Sequence, residues 1–134
     1  MPPEAALGEP VFFVDRSLGG KWVVEALRGV GAQVVVHDDV FDQNAPDVEW
    51  LQETARRGWV VLTKDGAMRR NPHELAMIRL AQARVFTLSR QDLTGQEMAA
   101  LLVSALAGMR KRATATEPPF VYSISRAGDF KRLD

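Results

Sequence analysis

Four short apolar runs recur along the chain, each separated from the next by a stretch with helical spacing. Residues 11–15 (VFFVD), 33–37 (QVVVH), 59–63 (WVVLT) and 84–89 (RVFTLS) have the length and unbroken apolarity of strands buried on both faces. Between the first two, Val23, Ala26, Leu27 and Val30 fall on one helical face, and Gly31 stops the helix. After a loop (DDVFDQN), Pro46 suits a first helical position, Val48, Leu51 and Ala55 share a face, and Gly58 closes the segment. A second loop (KDGAMRR) leads to Asn71-Pro72-His73-Glu74, which resembles a capping box and opens a helix to about residue 82. Thr94 with Glu97 is another capping box. Behind it Met98, Leu101, Leu102, Ala105, Leu106 and Met109 keep the i, i+3, i+4 rhythm as far as Arg110-Lys111-Arg112, a basic end that suits a helix C-terminus. The loop ATATEPP follows. FVYSIS and DFKRL, split by the turn signal Arg126-Ala127-Gly128, then form a β tail.

The order is βαβαβαβα with a short β tail. Buried strands alternating with amphipathic helices predict a three-layer α/β/α domain around a central, mostly parallel sheet, joined by right-handed crossovers. Residues 1–10 (MPPEAALGEP) read as a flexible leader and residues 11–134 as a single domain. In such sheets ligands collect outside the carboxyl ends of the strands, so chemistry is to be sought there.

Composition narrows the class. The 134 residues include no cysteine, which excludes disulfides and thiolate zinc sites. There is neither a secretory-signal pattern nor an apolar stretch near the ~20 residues that span a bilayer, so a soluble cytoplasmic protein is expected. The formal net charge is zero, but residues 1–65 hold 6 Lys/Arg against 11 Asp/Glu, and residues 66–134 hold 11 against 6. The split hints at a polyanionic partner near the basic half, or it is chance.

Acids stand at the predicted strand ends. Asp15 ends the first strand, His37-Asp38-Asp39 the second, Asp65 lies two residues past the third, and Asp47 opens the helix leading into the third. Singly, each reads as a helix cap, an Asx turn or a dipole partner. Together on one edge they would repel, and a divalent cation is the usual compensation. Oxygen-only ligands suit Mg²⁺ or Mn²⁺. His37 reads as a loop residue or a support behind the ligands rather than a ligand, and His73 as a first-turn helix residue.

At these positions the chain resembles the PIN-like domain nucleases, in the compact form related to VapC-type toxins. Asp15-Arg16-Ser17 resembles their D-x-S opening. Pro46-Asp47-Val48-Glu49-Trp50-Leu51 resembles the second acidic position, and Val60-Val61-Leu62-Thr63-Lys64-Asp65 the strand-end T-x-D. The resemblance covers residues 11–125. It implies a metal-dependent endoribonuclease with Mg²⁺ or Mn²⁺ on Asp15, Asp47 and Asp65, leaving a 5′-phosphate and a 3′-hydroxyl. It also implies an antitoxin partner and a homodimer. A fourth acid common in the family has no counterpart among Gly66, Ala67, Met68, Arg69 and Arg70; Glu49, Asp38, Asp39 or Asp42 would have to supply it. Arg16, Lys64, Arg69 and Arg70 flank the acids, either as contacts to RNA phosphates or as solvated surface. Ser17 either bonds Asp15 or a metal-bound water, or caps the first helix.

Two other classes are weighed. A phosphorylated receiver domain wants an acidic pair after the first strand and a Lys after the last core strand, whereas here Asp15 stands alone and the fourth strand ends Leu88-Ser89-Arg90. A catalytically silent PIN-like RNA- or protein-binding module has the same sequence signature as the enzyme. The basic half yields a prediction: changing Arg69 and Arg70 to Ala weakens RNA binding on all sequences and lowers the salt slope by about 2. An unchanged slope of log affinity against log salt would make both arginines bystanders.

Overall fold

The computed structural model describes residues 9–64 and 71–134. In chain order the elements are β1 (Val11–Val14), a 3-10 turn (Arg16–Leu18), α1 (Lys21–Gly29), β2 (Gln33–Val36), α2 (His37–Val40) and α3 (Asp47–Arg56). They continue with β3 (Val60–Thr63), α4 (Pro72–Ala81), β4 (Arg84–Leu88), α5 (Gly95–Ala115), β5 (Phe120–Ile124) and β6 (Phe130–Arg132). The six strands form one sheet in the order β2-β1-β3-β4-β5-β6. All neighbours are parallel except β6, which closes antiparallel on β5.

Strand periodicity divides the apolar runs between two cores. Phe12, Val14, Val34, Leu62, Phe86 and Phe120 face α1 and α5, where Val23, Leu27, Met98 and Leu102 meet them. Val11, Phe13, Val35, Val61, Val85 and Val121 face α3 and α4, against Trp50, Leu51 and Ile78. Phe13 stacks between Trp50 at 5.6 Å and Trp59 at 6.0 Å. Strands covered on both sides need no polar alternation, which is why they read as continuous apolar runs.

The crossovers do not all share one hand. β1 to β2 moves toward one edge with α1 on one face; β2 to β3 and β3 to β4 move the other way with α3 and α4 on the opposite face. These three therefore have the same hand. β4 to β5 continues in the second direction, but α5 lies beside α1, so its hand is opposite and the expectation of uniform crossovers fails there. Coverage supplies the reason. Without α5, Leu62, Phe86, Leu88 and Phe120 would face water, at roughly 1.5–3 kcal/mol for each large apolar side chain.

Other local expectations shift by a turn. DDVFDQN is not all loop, because its first residues complete α2. On α3 the buried face is Trp50, Leu51 and Thr54, and Val48 is exposed. On α1 the inner face is Val23, Val24 and Leu27, with Val30 exposed. Helix α5 passes Arg110-Lys111-Arg112 and runs on to Ala115, since buried Ala113 continues its apolar rhythm. The Arg112 guanidinium lies 3.9 Å over the Phe130 ring instead of capping the helix. A Cβ at Gly108 would come within 2.7 Å of that ring, so glycine there lets the β5–β6 hairpin close on α5. The Thr94–Glu97 capping box forms in both directions, and Asn71 caps α4 through the His73 amide at 2.9 Å. Most of the proposed leader, with the proposed loop residues 65–70, falls outside the described residues.

A surface network on α3 gives a pH prediction. Arg56 and then Arg57, both bonded to Glu53 Oε2 at 2.6 Å, hold its carboxyl down at about 2 from 4.5. A depressed carboxylate contributes stability above its unfolded pKa and loses it as pH falls through the folded one. Wild type should therefore lose more stability than Glu53→Gln between about pH 4.5 and 2, by about 0.3–1 kcal/mol as for other partly exposed pairs. Urea melts of both proteins across that range check this, and parallel curves would refute it.

Candidate active site

The switch in strand direction lies between β1 and β3, where the chain leaves toward β2 and returns over β1. A crevice opens at such a point beyond the carboxyl ends of the strands. Asp15 sits at its mouth. Its amide donates to Leu62 O at 3.0 Å, extending the β1–β3 ladder by one residue. Its side chain begins the 3-10 turn by accepting from the Arg16 amide on Oδ1 at 2.7 Å. Oδ2 accepts from the Ser17 and Thr63 hydroxyls, both at 2.8 Å. Ser17 Oγ also accepts from the Lys64 amide at 2.9 Å. The Asp15-Arg16-Ser17 and Thr63-Lys64 segments are thus tied together, and Ser17 supports Asp15 rather than capping α1.

Asp47 enters from the first turn of α3, where its Oδ1 accepts from the Trp50 indole Nε1–H at 3.1 Å. Trp50 is buried against Phe13, so the carboxylate is anchored to the core while remaining exposed. Asp15 and Asp47 line one cavity of about 420 Å³ with Arg16, Ser17, His37, Gln43, Trp50, Lys64 and Gln91 among its walls. Lys64 has no ion pair among the described residues and sits at the cavity wall. Arg16 is engaged, its Nε 3.3 Å from Asp38 Oδ1 and its Nη1 donating to Gln43 O at 3.0 Å.

The other acids take different positions. Asp38 is turned to Arg16 and to His37 Nδ1, the latter at 2.8 Å. Asp39 is exposed on α2. Glu49 and Asp42 lie along a neighbouring groove beside Val40 and Phe41. Asp65, Arg69 and Arg70 lie outside the described residues. Among the described residues no three acids or histidines gather as a metal-ligand set. The pair in the cavity suits a hard cation all the same: carboxylates are acceptors only, and Asp47 Oδ2 has no partner among the described residues. Behind the site, buried Thr87 pairs in register with Thr63, and its Oγ1 lacks a hydrogen-bond partner among the described residues.

Sequence reasoning undervalued Trp50, Thr63 and His37. The Asp47-x-x-Trp50 spacing, one helical turn, was the available signal for the first. For Thr63 it was parity, since it shares a sheet face with Val61 and Phe13. His37, a loop or supporting residue by sequence, is 2% exposed and lines the cavity.

The fold is a mostly parallel α/β sheet with acids at its central strand ends, and comparison with known proteins gives the family. The family model described as "PIN like domain" matches residues 10–90, and the chain belongs to that family. A protein of Mycobacterium tuberculosis named "Putative ribonuclease VapC45" is 33% identical over 116 residues, covering 84% of this chain and 83% of that relative. No solved structure matches significantly.

Proposed function

We propose that this chain is a Mg²⁺- or Mn²⁺-dependent endoribonuclease, the toxin of a toxin–antitoxin pair, with Asp15, Asp47 and Asp65 as its metal-holding acids. The observation that carries the reading is that Asp15 and Asp47, far apart in sequence, line one cavity at the strand ends. The name of the mycobacterial relative, "Putative ribonuclease VapC45", supports the reaction class, and the likeness of the motifs to VapC-type toxins supports the toxin role. The T-x-D spacing brings Asp65 within two residues of Thr63, which bonds Asp15 directly. When bound, the cation would activate water for attack on a phosphodiester and offset charge on its oxygens. The chain's own part is orientation. The Ser17 and Thr63 hydroxyls fix Asp15, the Trp50 indole fixes Asp47, and Lys64 stands ready for a neighbouring phosphate. Arg16 contributes through Asp38, while Arg69 and Arg70 supply further phosphate contacts. An antitoxin and a second copy of the chain complete the proposed partners.

The rival reading is a silent PIN-like binding module. The two readings share the same described residues, and Asp65, the third acid, lies outside them. Cleavage separates the two. Wild type, free of any partner, should cut RNA in Mg²⁺ or Mn²⁺ and stop in EDTA. Asp15→Asn, Asp47→Asn and Asp65→Asn should each cost more than the ~100-fold typical of losing an outer support, and the losses should not add. Trp50→Phe should cost about tenfold, and Glu117→Gln should cut normally. Full metal-dependent activity in the Asn variants would refute the site, and no activity on several RNAs would favour the binding module.

A further inference from the structure

His37 is a cavity residue with no role so far, and its setting is unusual. It follows β2 directly and is 2% exposed. Three aromatic side chains enclose its ring, Phe41 at 5.7 Å, Phe13 at 5.9 Å and Trp50 at 6.2 Å. Nδ1 lies 2.8 Å from Asp38 Oδ1. A carboxylate only accepts, so Nδ1 carries the hydrogen. Asp38 is held in turn by Arg16, and Arg16 by the Gln43 carbonyl. This chain of contacts fixes both the tilt and the tautomer of the imidazole.

In the neutral imidazole this tautomer leaves Nε2 as a lone-pair acceptor, and no donor among the described residues reaches it. Nε2 is not among the fully buried polar atoms that lack a partner, so it is open to the solvent of the cavity and not sealed in the core. Here the ring forms part of the wall of the cavity that holds Asp15 and Asp47. The cavity therefore presents an acceptor that awaits a donor from a ligand.

Resting on the reading of this cavity as an RNA site, we infer that His37 Nε2 accepts a hydrogen bond from a ribose 2′-hydroxyl and makes the site prefer RNA to DNA. Phosphate oxygens only accept, so they offer this nitrogen nothing. The 2′-hydroxyl is the backbone donor present at every nucleotide, and it is the group by which a protein tells RNA from DNA. His37 is thus a substrate-contacting residue, and Asp38 and Arg16 are positioning residues for it.

The test is fluorescence anisotropy of a short labelled RNA and the DNA of the same sequence, in Ca²⁺. Wild type should bind the RNA about tenfold more tightly, the worth of one hydrogen bond. His37→Phe keeps an aromatic ring in the cluster and removes the acceptor. It should bind RNA only as tightly as DNA, with DNA affinity unchanged. An unaltered RNA preference in this variant, equal losses on RNA and DNA (a phosphate contact), or no preference in wild type would each overturn the inference. If circular dichroism shows His37→Phe unfolded, wild type is tested on RNAs made 2′-deoxy at one nucleotide at a time. One position should then cost about tenfold, and the absence of any such position would overturn the inference. RNA preference without cleavage would sink the nuclease reading alone, and cleavage without RNA preference would sink the His37 contact alone.

Discussion

Strand β1 runs between β2 and β3, parallel to both and buried at every position. A strand so placed must be approached from one side and left toward the other, and the connections over it must cover both of its faces. The path β1–α1–β2 followed by a return over β1 to β3 meets that constraint. It also forces the two connections apart at the carboxyl end of β1. The crevice left there is where the chain exposes carboxylates. The last rung of the β1–β3 ladder, Asp15 N to Leu62 O, holds the first acid at its edge.

Polar groups at this edge are few and mutually bonded. Asp15 is met by two hydroxyls and a backbone amide, and Asp47 by an indole. Asp38 is neutralised by Arg16 and shared with His37. Asp15 and Asp47 meet only neutral donors, so their negative charge stays uncompensated, whereas Arg16 already offsets the charge of Asp38. That difference sorts the acids near the crevice. Asp15 and Asp47 remain available, and Asp38 becomes part of the frame. Phe13, packed against Trp50 and Trp59, lies in the core beneath that frame.

Much of this was legible in the sequence. Buried parallel strands announce themselves as apolar runs, because no solvent-facing side demands alternation; all four core runs lie in strands of the sheet. The Thr94–Glu97 box marked the start of α5, since capping is a local interaction. What failed was decided by distant contacts. Arg110-Lys111-Arg112 looked like a helix end, but Phe130, from a hairpin later in the chain, receives Arg112 and the helix continues. Val48 looked inward until Trp50 claimed the buried face. The hand of the last crossover follows from which face of the sheet still needed cover, which no local pattern encodes. Asp15 and Asp47, singled out as acids at a strand end and a helix start, line one cavity. His37 was undervalued because burial among three aromatics and a fixed tautomer arise only in the folded chain.

The central claim is that the acids at the β1–β3 switch point form a divalent cation site. A ligand bound only by the folded state raises its stability, by about 2.7 kcal/mol at a hundred times its dissociation constant. The most direct measurement is the melting temperature of the wild type and Asp15→Asn proteins in EDTA and in a series of Mn²⁺ concentrations. The account predicts a rise for wild type that grows with Mn²⁺ and is absent from Asp15→Asn. A wild-type melting curve that millimolar Mn²⁺ leaves in place, or an equal rise in both proteins, would contradict it.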